Sequence, residues 1–224
     1  MHEGPRLRPG DRGPSLWGHR SHTVHVRKHS LRILALALLL SSCAAPASLN
    51  GLVVPRKLTP DERLDYAVVY LESKDPSIED FFPPRESRVA LTFNGRALEP
   101  VVAVARTGAS LELWNADSVF HQPFSRSLAA PFDGRSVRPG SGTAVKLRAK
   151  GLIQIFCQLH ENESAEVLVL DSGAWARPDI TGAFTLPPLP RGRYTIHAWH
   201  PRLGEQSMPV EIDGSGPMSV ELRY

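Results

Sequence analysis

Apolar residues in this chain come in short runs, and no stretch repeats them with a period of 3.6 over three turns. A helical bundle therefore has no faces from which to build a core. The runs instead end in turn-forming residues, at Asn94-Gly95, Thr107-Gly108, Gly140-Ser141-Gly142 and Lys150-Gly151. Such punctuation marks β-strands and hairpins. It predicts strands at 64–72, 88–93, 100–105, 110–115, 143–149, 152–157 and 165–171. In the first, Tyr66, Val68 and Tyr70 alternate with Ala67, Val69 and Leu71, so both faces are apolar. Residues 73–87 read as a loop, because Pro76, Pro83 and Pro84 cannot donate to a sheet. The expected class is all-β, closed as a Greek-key sandwich over residues 64–174.

The tail, residues 175–224, has its own rhythm. Turns at Asp179–Gly182 and Pro190–Gly192 alternate with strands over 183–186, 194–200, 207–212 and 218–223. This segment is expected to form a second, small β-sandwich.

The N-terminus reads as an address rather than a fold. Arg27, Lys28 and Arg32 precede an apolar run from Ile33 to Leu40, followed by Ser41, Ser42 and Cys43. The run is much shorter than the roughly 20 residues that cross a bilayer and has the length of a secretory signal core. Residues 1–42 are thus expected to be a signal peptide, with 1–26 either a disordered extension or the product of a start codon placed too far upstream. Leu40-Ser41-Ser42-Cys43 resembles the lipobox of bacterial lipoproteins, which implies acylation of Cys43. The alternative is an ordinary signal peptide cut near Ala44-Ala45-Pro46, with Cys43 removed. Residues 43–63 then read as a tether.

This N-terminus distorts the charge. The chain carries +3 overall, but residues 1–42 hold seven Arg or Lys against two Asp or Glu, leaving −2 for the remainder. The basic balance is no argument for nucleic acid as a partner.

With Cys43 lipidated, Cys157 is the one remaining thiol of two cysteines, and no intramolecular disulfide can form. A leftover cysteine in an oxidising compartment calls for burial, pairing with another chain, reactivity or a metal. Cys157 stands at the end of the strand Leu152–Phe156, and His160 follows three residues later, close enough for the loop to turn it back. His121 lies 36 residues upstream, at another strand-to-loop junction. One thiolate with two imidazoles is the ligand set of blue-copper sites.

These segments resemble the cupredoxin family, in particular plastocyanin-like, methylamine-utilisation-like periplasmic proteins. Asn115, Asp117 and His121 match an N-x-D-x-x-x-H segment, and Cys157 and His160 match the start of C-x-x-H-x-x-M. The tail pattern around Gly182, Phe184, Leu186, Pro190, Gly192, Tyr194, Trp199 and His200 resembles a transthyretin-like or carboxypeptidase-regulatory sandwich. The resemblance spans about residues 64–212. It implies one copper ion, a one-electron role and a redox partner protein in the cell envelope. Strand 64–72 is more like the first strand of the tail sandwich, so the copper domain is either separate or inserted between that strand and the tail.

Three departures bear on the site, one of them Pro123, which removes a backbone donor next to Gln122. Glu163 stands where the family has an axial methionine, and Gln122 stands where an asparagine ties the ligand loops together. A carboxylate ligand stabilises Cu²⁺ over Cu⁺, or tilts the site towards zinc; alternatively Glu163 points to solvent. The expected protein is no enzyme: it is lipid-anchored on the periplasmic face of a bacterial membrane, the outer more than the inner. Its roles are electron transfer or, as the alternative, non-redox holding of copper or zinc, or an envelope scaffold whose tail binds carbohydrate or protein. His197 and His200 are expected to be structural or surface residues, since strand positions three apart face opposite ways.

Overall fold

Alternation along each strand carries through into a computed structural model of the protein, which describes residues 47–57, 59, 62–82, 88–214 and 216–224. The architecture is all-β. The strands, in order, are β1 (Leu49–Val54), β2 (Val68–Ser73), β3 (Arg88–Asn94), β4 (Ala97–Glu99), β5 (Val102–Arg106), β6 (Ser110–Asn115), β7 (Pro123–Ser125) and β8 (Phe132–Asp133). They continue with β9 (Gly142–Lys146), β10 (Gly151–Cys157), β11 (Ser164–Leu170), β12 (Trp175–Ala176), β13 (Ala183–Thr185), β14 (Gly192–His200), β15 (Gly204–Ile212) and β16 (Met218–Arg223).

Two sheets form the sandwich that carries the candidate site, one ordered β4-β3-β6-β9 and the other β5-β11-β10-β7-β8. β3 and β6 are parallel neighbours because β5 crosses to the opposite sheet, where it pairs in parallel with β11. Inward residues of both sheets share one core: Leu91, Phe93, Leu111, Leu113, Ile153, Ile155, Val167 and Val169. Each such side chain contributes roughly 1.5–3 kcal/mol when fully buried.

A second pair of sheets, β13-β1-β16 and β12-β2-β14-β15, encloses another core that includes Leu49, Val69, Leu71, Phe184, Ile196 and Leu222. β2 pairs antiparallel with β14, Leu71 opposite Ile196, and makes no pairing with the first sandwich. The two sandwiches meet through a third cluster, in which Val68, Tyr70 and Trp199 pack on Val102, Leu168 and Leu170. Alternate residues of β2, β5 and β11 therefore face different cores, which is why these strands read as unbroken apolar runs.

Two local expectations need correction. Residues 49–54, read as part of a tether, form β1, hydrogen-bonded in parallel to β16 and antiparallel to β13. Their partners lie more than a hundred residues away, so no local signal marks them. The strand expected from residue 64 begins at Val68, because Leu64–Tyr66 make a turn of 3-10 helix. The loop after β2 contains a second 3-10 turn, Pro76–Phe81, whose N-cap Asp75 accepts from the Ser77 amide. The expected signal peptide, residues 1–42, and Cys43 lie outside the described residues.

Candidate metal centre

The site is built at one end of the first sandwich, where β10 turns into β11. Phe156 pairs with Ser164, so the next residues outward, Cys157 and Glu163, stand opposite each other, and the Cys157 amide donates to the Glu163 carbonyl (3.2 Å). Directly opposed residues project to the same face of a sheet. That face is the inward one: Cys157 is in phase with Ile153 and Ile155, and Glu163 with Ala165, Val167 and Val169. His160 sits between them on the connecting loop, its carbonyl accepting from the Glu163 amide at 3.5 Å.

His121 arrives from the other sheet's connection. It follows β6 and bridges Val137, the backbone N–H and C=O of each exchanging bonds at 3.1 and 2.7 Å. Two residues later β7 pairs Pro123 with Cys157. Gln122 lies between, and its main chain joins the two ligand loops: its N–H donates to Cys157 Sγ (3.4 Å) and its carbonyl accepts from the Gln158 amide (2.9 Å). The tie expected of an asparagine side chain is thus supplied by backbone, whatever side chain Gln122 carries.

The result is a convergence of four donor atoms, from His121, Cys157, His160 and Glu163, all within 4.8 Å of one another. Cys157 Sγ is 3.6 Å from His160 Nδ1 and 3.9 Å from His121 Nδ1. Glu163 Oε2 is 2.7 Å from His121 Nδ1 and 3.2 Å from His160 Nδ1. Bonds of about 2.3 Å to thiolate and about 2.0 Å to imidazole at a tetrahedral angle separate sulfur and nitrogen by about 3.5 Å. The donor set therefore fits a single ion. His121 is 0% and Glu163 1% exposed, and Glu163 Oε1 is buried with no hydrogen-bond partner. A buried carboxylate needs a compensating charge. Glu163 is accordingly not a solvated loop residue.

Burial pushes the Cys157 thiol above its ordinary pKa, with Glu163 adding to the rise and the amides of Gln122 and Leu159 opposing it. A cation among these donors reverses that balance, because metal binding takes the thiol as thiolate. Thiolate and carboxylate together neutralise a divalent ion and leave a monovalent one with a surplus negative charge.

Around these donors stands a shell whose roles sequence reasoning left unassigned. Phe93 stacks on the His121 ring, centroids 4.2 Å apart and planes at 11°. Asn115, fully buried, donates through Nδ2 to the carbonyls of Val119 (2.7 Å) and Val137 (2.9 Å) and accepts from the Asp117 amide (2.9 Å). Asp117 Oδ2 lies 3.1 Å from His121 Nε2. Burial raises the Asp117 pKa, but the Gly95 and Arg96 amides together with His121 outweigh it, and the carboxyl titrates below its usual range. The spacing of Asn115, Asp117 and His121 was the available signal.

The two other histidines among the described residues stay apart from this centre. His200 is buried, with Nε2 3.0 Å from the Arg63 carbonyl and Nδ1 accepting from the amides of Arg202 (3.1 Å) and Leu203 (3.2 Å). His197 stacks on Tyr70 and places Nδ1 2.6 Å from Glu205 Oε1.

No family model matches the chain, and no curated protein matches it. Solved structures similar to it include a purple cupredoxin from Nitrosopumilus maritimus, at 16% identity over 37% of this chain and 99% of that one, with a TM-score of 0.33. A Cu(I) amicyanin mutant is 12% identical over 46% of this chain and 98% of its own, with a TM-score of 0.35. An oxidised amicyanin mutant gives the same identity and coverage, with a TM-score of 0.36.

Proposed function

We propose that this chain is an exported copper protein that holds one ion through His121, Cys157, His160 and Glu163 and passes single electrons in the cell envelope. The observation that carries this reading is the convergence of a buried thiol, two imidazole Nδ1 atoms and a buried carboxylate within 4.8 Å. Copper supplies a one-electron couple at such a site. The protein's part is to hold the donors still: Cys157 on a strand end, Glu163 opposite it in the same ladder, and His121 between Phe93 and the bridge to Val137. A donor set that moves little between oxidation states favours transfer over retention. We place the chain, through acylated Cys43, on the periplasmic face of a bacterial membrane, where a redox protein is its partner and no substrate is turned over.

One observation favours a second reading, non-redox holding of copper or zinc. The Glu163 carboxylate is a hard, charged donor that disfavours Cu⁺ and suits Zn²⁺. Copper titration of the metal-free protein separates the two. Electron transfer predicts an intense thiolate-to-copper charge-transfer band at one equivalent, abolished by Cys157→Ser. A colourless complex, or Zn²⁺ displacing Cu²⁺ stoichiometrically, selects the second reading. Failure to bind either ion refutes both.

A further inference from the structure

His121 has a carboxylate on each side of its ring. Nδ1 faces the donor cluster and Glu163; Nε2 faces Asp117 at 3.1 Å. Asp117 is itself held from a third direction. Its Oδ1 accepts from the Gly95 amide (2.6 Å) and its Oδ2 from the Arg96 amide (3.3 Å). Gly95 and Arg96 are the two central residues of the β3–β4 hairpin turn, both at φ 61°, and Arg96 is the one non-glycine residue with positive φ among the described residues. Successive amides in such a turn point to one side and form an anion-binding concavity. The sequence places a carboxylate in it rather than leaving it to water.

We propose that Asp117, clamped by the β3–β4 turn, is a positioning residue of the metal centre: it keeps the His121 proton on Nε2 and leaves the Nδ1 lone pair for the ion. A hydrogen bond at one ring nitrogen decides which nitrogen is free to ligate. A carboxylate at Nε2–H also makes the imidazole a stronger donor and adds negative charge behind it. The strand that feeds the turn provides the other restraint, since β3 carries Phe93, whose ring lies flat on His121. One hairpin thus sets the ring's plane and, through Asp117, its tautomer. Asn115 locks the segment from within by accepting the Asp117 amide. The inference rests on His121 being a metal ligand, as proposed above.

The test compares the full chain with Asp117→Asn and Asp117→Ala, using Cu²⁺ and Zn²⁺ in competition with a chelator. Asparagine preserves size and an acceptor for the Gly95 amide but removes the charge. The expected result is a loss of about 10- to 100-fold in metal affinity, the usual cost of losing such an outer partner, with the copper reduction potential moving upward. In the Zn²⁺-loaded wild type, proton NMR is expected to show a downfield, exchange-protected Nε2–H on His121 that shifts upfield or is lost in both variants. Unchanged affinity and potential in Asp117→Asn would overturn the inference while leaving the metal centre intact. So would a fall in thermal stability of the metal-free protein with affinity kept within about twofold. If neither variant folds, a metal-loaded wild type lacking that protected ring proton overturns it alone. A wild type that takes up neither ion refutes the metal reading instead.

Discussion

Replacing Glu163 by glutamine tests how the buried carboxylate would set the potential of a copper ion held as proposed. The four donor atoms lie within 4.8 Å of one another, so an ion among them sits about 3 Å from the centre of the carboxylate. One unit of charge at about 3 Å, in an effective dielectric of about 20, interacts by about 5 kcal/mol. Cu²⁺ gains this stabilisation once more than Cu⁺ does, so the carboxylate lowers the potential by that amount. Converted at about 59 mV per tenfold for one electron, this is about 0.2 V. Glu163→Gln retains a neutral oxygen and nearly the same volume, so the potential is expected to rise by about 0.2 V without repacking of Cys157 or His160. Voltammetry of the copper-loaded protein, with the absorption spectrum as a check on ligand geometry, reads the shift directly. A change below about 0.06 V, one tenfold in equilibrium constant, would show that Glu163 bears no charge on the ion. A fall in potential would reverse the reasoning.

Two further outcomes concern the fold that carries the site. Burial holds His200 below its ordinary pKa of 6.5, in a neutral form whose Nδ1 accepts two amides. The folded state binds its proton less readily than the unfolded chain. Its contribution is therefore complete above about pH 6.5 and is lost as the pH falls from there through the lower folded value; urea midpoints between pH 7.5 and 5 should fall, and less so in His200→Gln. Gly182 adopts φ 87°, its carbonyl accepts the Val53 amide at 2.9 Å, and a Cβ there would run into the Val53 carbonyl oxygen. Gly182→Ala should cost about 2–4 kcal/mol and lower the midpoint of thermal unfolding by about 4–16 °C; a loss under about 0.5 kcal/mol would mean β1 is not held as described.

Much of this protein is legible along the chain because its causes are local. Val-, Ile- and Leu-rich alternation places β3, β6, β10 and β14 to within a residue or two, since period-2 patterning reports which face each side chain takes. Cys157 and His160 are separated by a loop too short to send them elsewhere, and the expectation that Cys43 carries lipid is what singled out Cys157 of the two cysteines. Glu163 was decidable in principle: it keeps phase with Ala165, Val167 and Val169, whose side chains face the core. The loop setting hid that phase, because where a ladder ends depends on its partner strand.

The three-residue set of His121, Cys157 and His160 was therefore readable as chemistry, but not as a place. Only tertiary structure decides that β7 sets His121 beside the β10–β11 turn, that the main chain of Gln122 joins the two loops, and that a hairpin turn more than twenty residues before His121 holds Asp117 against its far nitrogen. It likewise turns residues 49–54 from a tether into β1, through partners at residues 183–185 and 218–223. The physical reason is common to all of these. Strand pairing and burial are satisfied between segments distant in sequence, so residue type and spacing state what each side chain can do, while register and packing determine what it does it with.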